Sequence, residues 1–162
     1  MHVHSVTVCE DRIDVVVRVD DDERMRTAGD DAAVRRALEL LPGLKQHMCD
    51  NAQGITFAEE IADTEVPHLF EHVVIELMTR AGSPRGLKGE TQWDFNRDGH
   101  GTFRVSFEYD DDLVCLGAIK TADRVMVHIL EDTEPPDVEV ETARLRDLRL
   151  RVPQVEGVPT RM

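Results

Sequence analysis

The segment VPHLFEHVVIELM, residues 66–78, constrains the fold of this chain most strongly. At about 100° per residue its apolar side chains fill an arc of about 180°, which is typical of a helix with one side buried in a domain. Asp63 or Thr64 is a candidate N-cap, Pro67 lies in the first turn, and Gly82 follows the expected end. The sequence therefore predicts a central helix with one side in the core.

The opposite side of this helix carries His68, Glu71, His72, Glu76 and Thr79. Two histidines four residues apart lie about one turn apart, so both imidazoles can reach one zinc ion at about 2.0 to 2.1 Å. Glu71 is displaced around the helix, where it could take a proton from a water on the metal. His-x-x-Glu-His is the order found in inverzincins. The alternative is a solvated polar face, because so short a motif also arises by chance.

A catalytic zinc site requires a third protein ligand beside His68 and His72. Glu76 would have to reach back along the helix. Glu90 comes from a separate element and would leave one side of the metal open. We therefore predict His68, His72 and Glu90 as metal ligands and Glu71 as the catalytic base. The other candidates in the loop after the helix are Asp94 and His100.

The cysteines indicate neither a disulfide framework nor a cysteine-based metal site. Cys9, Cys49 and Cys115 are odd in number, widely spaced and form no Cys-x-x-Cys pair. His47 and Cys49 could supply two metal ligands, but an isolated cysteine is most often a small buried side chain. We therefore expect no metal at this pair.

The net charge of the chain limits the classes of partner that it is expected to bind. It has 33 acidic and 19 basic side chains and a net charge of −14, which repels nucleic acid and anionic membranes and favours a cationic or arginine-bearing partner. Solubility alone could also explain the acidity. No apolar run approaches the roughly 18 residues that span a bilayer. The first residues lack the basic and small-residue signals of a secretory leader, so we expect a cytoplasmic protein.

The chain length suits one domain. Valine-rich segments 3–9 and 12–19, joined by Glu10-Asp11, predict two paired strands. Segment 102–109 alternates as a half-buried strand, and 112–119 is the expected partner in its hairpin. We predict an α+β fold, a single domain whose antiparallel sheet packs against helices. The expected helices cover 31–41, the vicinity of 58–62, the central segment, and 121–131.

Two segments fall outside this regular pattern. Residues 82–101 form a glycine-rich loop of about 20 residues, a length that is commonly functional. After residue 132 two prolines among acids precede a basic stretch without a broad hydrophobic face. We therefore expect the α+β domain to cover 1–132. Residues 133–162 would form a C-terminal tail with room for one short helix that packs on a neighbour.

Four motifs, in order, resemble the N-terminal domain of cyanophycin synthetases: LPGLKQHMCDNAQG, HLFEHVVIELMTRAG, GET and FRVSFEYDDD. The resemblance covers about residues 38–131. It implies an α+β domain that handles cyanophycin, a polymer of aspartate with arginine on each side-chain carboxylate. In some members the domain resembles a metallopeptidase that trims the polymer, and in others it only docks the chain. Transferred here, the resemblance implies His68 and His72 as ligands, Glu71 as base and Glu90 as third ligand.

The ATP-grasp and ligase-like segments of a synthetase do not occur in this sequence, so we expect a stand-alone relative. The leading hypothesis is a zinc-dependent hydrolase of peptide or isopeptide bonds that acts on an arginine-rich polymer such as cyanophycin. A non-catalytic polymer-binding or assembly module is the main alternative, and a metal-dependent lyase is a third. The same ligands also accept manganese, iron or cobalt. The sequence does not determine the oligomeric state, and a homo-oligomer is one alternative.

Overall fold

The computed structural model describes residues 1–49 and 54–151, with side chains up to residue 149. These residues form the predicted single α+β domain, in which an antiparallel four-stranded sheet of order β1-β2-β4-β3 packs against helices. The strands are β1 (His2–Val8), β2 (Arg12–Arg18), β3 (Gly89–Gln92) and β4 (Thr102–Glu108). The helices are α1 (Asp31–Leu40), α2 (Phe57–Glu60), α3 (Val66–Arg80), α4 (Phe95–Asp98), α5 (Asp112–Glu131) and α6 (Val138–Arg151).

The two middle strands supply the sheet's share of the core. Their side chains alternate between the two faces, so every second residue points toward the helices. The residues with buried side chains are Ile13, Val15 and Val17 on β2 and Phe103, Val105 and Phe107 on β4. Directly paired residues such as Val15 and Val105 lie on the same face, which makes one continuous apolar surface for the helices to cover.

Helix α3 covers this surface and is buried on more than its apolar side. Its backbone begins at Val66 after Glu65, and Gly82 follows the end with a φ of 97°. Eleven of its fifteen residues are buried, including three polar ones. The ring of Phe70 meets that of Phe107 edge-on at 6.1 Å. The central helix predicted from the sequence is therefore confirmed, and its polar side also faces protein.

The prediction of a strand over 112–119 is wrong, because this segment is the first half of α5. The side chain of Asp111 accepts a hydrogen bond from the backbone N–H of Val114 and caps the helix. Val114, Ala118 and Ala122 recur at intervals of four and are buried with their neighbours. A strand would bury every second side chain, whereas this segment buries Val114, Cys115, Ala118 and Ile119 together, which only a helix allows.

The neighbour of β4 is instead β3, which lies inside the predicted loop 82–101 together with α4. The pairing runs from Gly89 opposite Phe107 to Gln92 opposite Arg104. This strand contains GETQ, with no large apolar side chain, so hydrophobic periodicity could not reveal it. The segment expected to be a loop thus supplies an edge strand beside α3.

Residues from 133 onward, expected to form a tail, contain the 14-residue helix α6. Val138 and Leu145 of this helix are buried. The helix lies so close to α5 that a Cβ on Gly117 would fall 2.5 Å from Cδ2 of Leu145. The guanidinium of Arg146 donates to the backbone carbonyl of Arg80 at 2.7 Å. Helix α6 therefore packs on the core through its few apolar residues and through arginines.

Two further expectations concern the cysteines and membrane-spanning segments. All three cysteines are free thiols, in agreement with the expectation of no disulfide framework. No helix in the part of the chain that the structure describes is both long enough and apolar enough to cross a bilayer.

Candidate metal centre

The polar side of α3 is not a solvated surface. The exposed fractions of Glu71, His72 and Glu76 are 5 %, 3 % and 7 %. Buried polar side chains are stable only when they have hydrogen-bonding or ionic partners. The partners of these three residues come from the segment before α2, from β3 and from α3 itself, and they define the candidate site.

Three potential ligand atoms converge at His68, His72 and Cys49. Among the described residues, the Nε2 atoms of both histidines and the Sγ atom of Cys49 all lie within 4.8 Å of one another. The two Nε2 atoms are 3.1 Å apart, and Sγ lies 3.6 Å from Nε2 of His72. In a tetrahedral zinc site with bonds of about 2.05 Å to nitrogen and 2.3 Å to sulfur, these edges measure about 3.3 and 3.6 Å. The two measured edges match those of such a site, and the third, from Cys49 to His68, is at most 4.8 Å.

The two imidazole rings are held by their other nitrogens. Nδ1 of His68 lies 2.8 Å from the hydroxyl oxygen of Thr64. Nδ1 of His72 lies 2.9 Å from Nδ1 of His47. The ring of Phe57 stacks on His72 at a centroid distance of 3.8 Å and an angle of 13°. These contacts turn both Nε2 atoms toward the same point, as the outer partners of metal-binding histidines do.

The protonation of these groups suits a cation. Burial lowers the pKa of His72 to about 2, and the neighbouring rings of His68 and His47 add to this effect. Burial also lowers the pKa of His68, so both rings are in the neutral form that binds metals. Burial, together with a hydrogen bond to Glu60, raises the pKa of the Cys49 thiol far above its usual value. Without a cation the thiol therefore keeps its proton, whereas a bound metal would remove it.

Glu71 points toward β3. The hydroxyl of Thr91 donates to its Oε2 at 2.5 Å. A Cβ added to Gly89 would fall 2.6 Å from Cγ of Glu71, so the strand lies directly against this side chain. Burial raises the pKa of Glu71 to about 7, although the hydrogen bond from Thr91 opposes the shift. A carboxyl group with such a pKa can exchange protons at neutral pH.

The structure does not bring Glu90, the predicted third ligand, into the group formed by the histidines. Glu90 is exposed, and its Oε1 accepts a hydrogen bond from Gln92 at 2.5 Å. Strand alternation explains this placement, since Gly89 and Thr91 face Glu71 and Glu90 points the other way. Cys49 takes the third position instead. The other loop candidates are also engaged elsewhere, Asp94 with the backbone of α4 and His100 with Asp22.

The sequence does not predict Cys49 as a ligand, because an isolated cysteine is most often a small buried side chain. Cys49 precedes the helix by many residues, and its approach depends on tertiary structure. Met48 forms an isolated antiparallel bridge with Thr56, which returns the chain to α2. The sequence signal that could have identified Cys49 is its spacing from His47, since the side chains of both residues contact His72.

The site opens into a cleft of about 1510 Å³. Its walls carry acidic and basic groups together with two large apolar side chains, Met48 and Trp93, which are 69 % and 50 % exposed. The acidic residues along the cleft are Asp11, Glu60, Glu65, Glu71, Glu76, Glu90 and Glu108, and the basic ones are Arg12, Arg80, Arg85 and Lys88. The acids outnumber the bases, so the cleft shares the acidic character of the whole chain.

Comparison with curated protein sequences gave no match. A family model described as the cyanophycin synthase-like N-terminal domain matches residues 14–131. This stretch begins within β2 and contains β3, β4, α3 and α5 together with every residue of the candidate metal centre. It also covers well over half of the 162 residues. The chain therefore belongs to the family of cyanophycin synthase-like N-terminal domains.

Proposed function

We propose that this protein is a zinc-dependent hydrolase of peptide or isopeptide bonds, with Cys49, His68 and His72 as metal ligands and Glu71 as the catalytic base. The observation that carries the proposal is the convergence of two imidazole nitrogens and a thiol within 4.8 Å of one another. One sulfur and two nitrogens form a donor set that suits zinc, and three protein ligands leave a fourth position open.

The chemistry divides between the metal and Glu71. Cys49, His68 and His72 would hold the zinc ion, which would supply a water with a pKa near about 7 and polarise a carbonyl group. Glu71 accepts the proton of the attacking water and then delivers it to the leaving amine. The hydroxyl of Thr91 holds Oε2 of Glu71, which leaves Oε1 as the oxygen that exchanges the proton. The pKa of about 7 lets Glu71 serve first as base and then as acid.

An arginine-bearing polymer such as cyanophycin is the proposed substrate. Three features support a cationic chain: the net charge of −14, the excess of acidic groups along the cleft, and the family to which the domain belongs. The exposed ring of Trp93 lies in the same cleft, and a guanidinium group can stack on such a ring.

A non-catalytic polymer-binding module is the second candidate. The size of the cleft and the exposure of Met48 and Trp93 favour it, because a docking surface needs apolar area but no base. A buried Glu71 with a pKa of about 7 favours the hydrolase, since a binding surface has no use for such a group.

The variant Glu71→Gln separates the two candidates. The hydrolase proposal predicts that purified native protein binds zinc and cleaves an arginine-containing isopeptide polymer, and that E71Q keeps the zinc but loses cleavage. Polymer binding that persists in His68→Ala and His72→Ala variants with chelator present, together with no cleavage by the native protein, would favour the binding module.

A further inference from the structure

Three side chains, His72, His47 and Glu76, form a row that leads away from the candidate metal centre. Nδ1 of His72 lies 2.9 Å from Nδ1 of His47. Nε2 of His47 lies 2.8 Å from Oε2 of Glu76. Nε of Arg80 donates to Oε1 of Glu76 at 3.2 Å. The row ends at the carboxylate of Glu76. One of its oxygens faces the ring of His47, and the other accepts a hydrogen bond from Arg80.

In the state in which both rings are neutral, the hydrogen-bonding partners determine where the protons lie. An ionised carboxylate can only accept, so the proton of His47 must be on Nε2, facing Glu76. Nδ1 of His47 then carries a lone pair. The contact at 2.9 Å to His72 is favourable only if His72 donates from its own Nδ1. Nε2 of His72 is consequently left without a proton.

We propose that Glu76 and His47 are positioning residues that fix His72 in the tautomer with its proton on Nδ1, so that Nε2 is bare for a metal. This inference rests on the proposed metal centre. Neither residue supplies a ligand atom to the group of Cys49, His68 and His72. Their effect on the metal passes through one imidazole ring, as in the carboxylate–histidine pairs behind many zinc ligands.

The carboxylate of Glu76 is kept in its ionised form by its surroundings. Burial, the largest influence, raises its pKa, but the hydrogen bond from His47 and the pairing with Arg80 together bring the pKa below its ordinary value. Arg80 also lies 3.6 Å from Glu139 on α6. The acceptor at the end of the row is therefore a charged group, and it sets the direction of the row whenever His47 is neutral.

The absence of a side chain at Gly43 leaves room for the carboxylate of Glu76. Gly43 lies so close to Glu76 that an added Cβ would fall 2.0 Å from Oε1 and 2.9 Å from Oε2. The φ of Gly43 is not in the left-handed region, so alanine is compatible with the backbone there. Gly43→Ala is thus a steric change that displaces the Glu76 carboxylate from His47 without altering any polar group.

His68 provides an internal contrast. Its Nδ1 faces the hydroxyl of Thr64 at 2.8 Å, and a hydroxyl can either donate or accept. The same hydroxyl lies 3.4 Å from Oε2 of Glu65, a long contact that orients it only weakly. The row behind His72 has shorter contacts and does not include Thr64 or Glu65, so the effects of Glu76 and Gly43 should be confined to His72.

The first test is the long-range ¹H–¹⁵N spectrum of the metal-free full chain above about pH 8.5, where ordinary histidines with a pKa of about 6.5 are neutral. We expect the native His72 to carry its proton on Nδ1. In Glu76→Gln the amide can also donate to His47, so His72 should become a mixture of tautomers, and Gly43→Ala should shift it in the same direction. A native His72 protonated on Nε2, or one unchanged in both variants, would overturn the inference.

The second test is zinc affinity, measured by competition with a chromophoric chelator. Loss of an outer partner of a metal-binding histidine costs about 10- to 100-fold in affinity, so Glu76→Gln and Gly43→Ala should both weaken binding by that factor. Glu108→Gln makes the same charge change in the same cleft without touching His47 and should leave the affinity unchanged. Native affinity in both test variants would overturn the inference.

The two tests distinguish a failure of this inference from a failure of the proposed function. A native protein that holds His72 in the Nδ1–H form but takes up no zinc would contradict the metal centre and support the positioning row. A native protein that binds zinc tightly, with variants equal to it, would support the metal centre and overturn the role of Glu76.

Discussion

The Sγ atom of Cys49 lies 3.6 Å from Nε2 of His72, although 23 residues separate the two along the chain. The backbone N–H of Phe57 donates to the carbonyl of His47 at 3.1 Å, which closes the segment that carries the thiol. The ring of Phe57 also stacks on His72. The same local structure therefore places the thiol beside the imidazole and supports that imidazole from one face.

Replacing Cys49 should reduce zinc binding. Cys49→Ala removes one of three ligand atoms, and two histidines alone make a weak site. We expect zinc affinity to fall by more than about tenfold, because loss of a partner behind a metal-binding histidine already costs at least about that much. Metal content after dialysis is the measurement. Cys9→Ala, at a half-buried thiol beside Asp14, is the matched control and should keep the native zinc content.

Removing the carboxylate of Glu90 should leave the metal in place. Glu90 is exposed and bonded to Gln92 on the outer face of β3, so Glu90→Ala deletes no atom of the group around His72. Equilibrium titration with zinc should give the native stoichiometry and an affinity within experimental error of native. Loss of bound zinc in this variant would restore the original prediction that Glu90 is the third ligand.

Gly89→Ala should impair cleavage without removing the metal. Its Cβ would lie 2.6 Å from Cγ of Glu71, so the carboxylate must move away from Thr91. A general base contributes about 10²- to 10⁴-fold to rate, and we expect a loss of at least about tenfold in kcat from its displacement. Gln92→Ala, on the opposite face of the same strand, is the control. Equal rates for both variants would show that Glu71 does not act on the substrate.

The attachment of α6 should depend on Asp110 and on acidity. The guanidinium of Arg149 contacts this carboxylate, and the hydroxyl of Ser83 donates to it at 2.7 Å. Burial raises the pKa of Asp110, but these donors outweigh burial and lower it overall. A lowered pKa in the folded state stabilises the fold fully above the unfolded pKa of about 3.9, and the contribution disappears as the pH falls through the folded pKa.

Asp110→Asn should therefore lower the free energy of unfolding at neutral pH, by about 1 kcal/mol for a charged hydrogen bond at an exposed position, where solvent screens the charges. The difference from the native protein should shrink in strongly acidic solution. Urea unfolding at several pH values measures it. Asp147→Asn, at an exposed position on α6, should have no comparable effect. A difference between native and D110N that is independent of pH would contradict the electrostatic explanation.

The sequence predicted those parts of the fold whose signals are local. Asp30 caps α1 through a hydrogen bond to the N–H of Ala33, and Gly82 follows α3, so both helix boundaries could be recognised. Strands β1, β2 and β4 alternate or are rich in valine. By contrast, 112–119 is apolar enough for either a strand or a helix, and only the capping by Asp111 and the partner strand β3 decide between them.

The residues of the candidate site also divide into those with local sequence signals and those without. His68, Glu71 and His72 lie on one helix, so their spacing alone placed them together. Cys49 could not be placed, because its position depends on contacts between segments distant in sequence. Glu90 was misplaced for a related reason. A segment predicted as a loop does not indicate which way each side chain points. In a strand the side chains alternate, so Glu90 points away from Glu71, which Gly89 and Thr91 approach.

Binding of cobalt(II) tests the metal centre most directly, because a thiolate ligand gives this ion an intense near-ultraviolet charge-transfer band. We predict that the native protein binds one cobalt ion per chain with this band and with the strong visible absorption of a tetrahedral site, that Cys49→Ser loses the band, and that zinc displaces the cobalt. A native protein that shows no such band, and binds neither ion, would contradict the proposed metal centre.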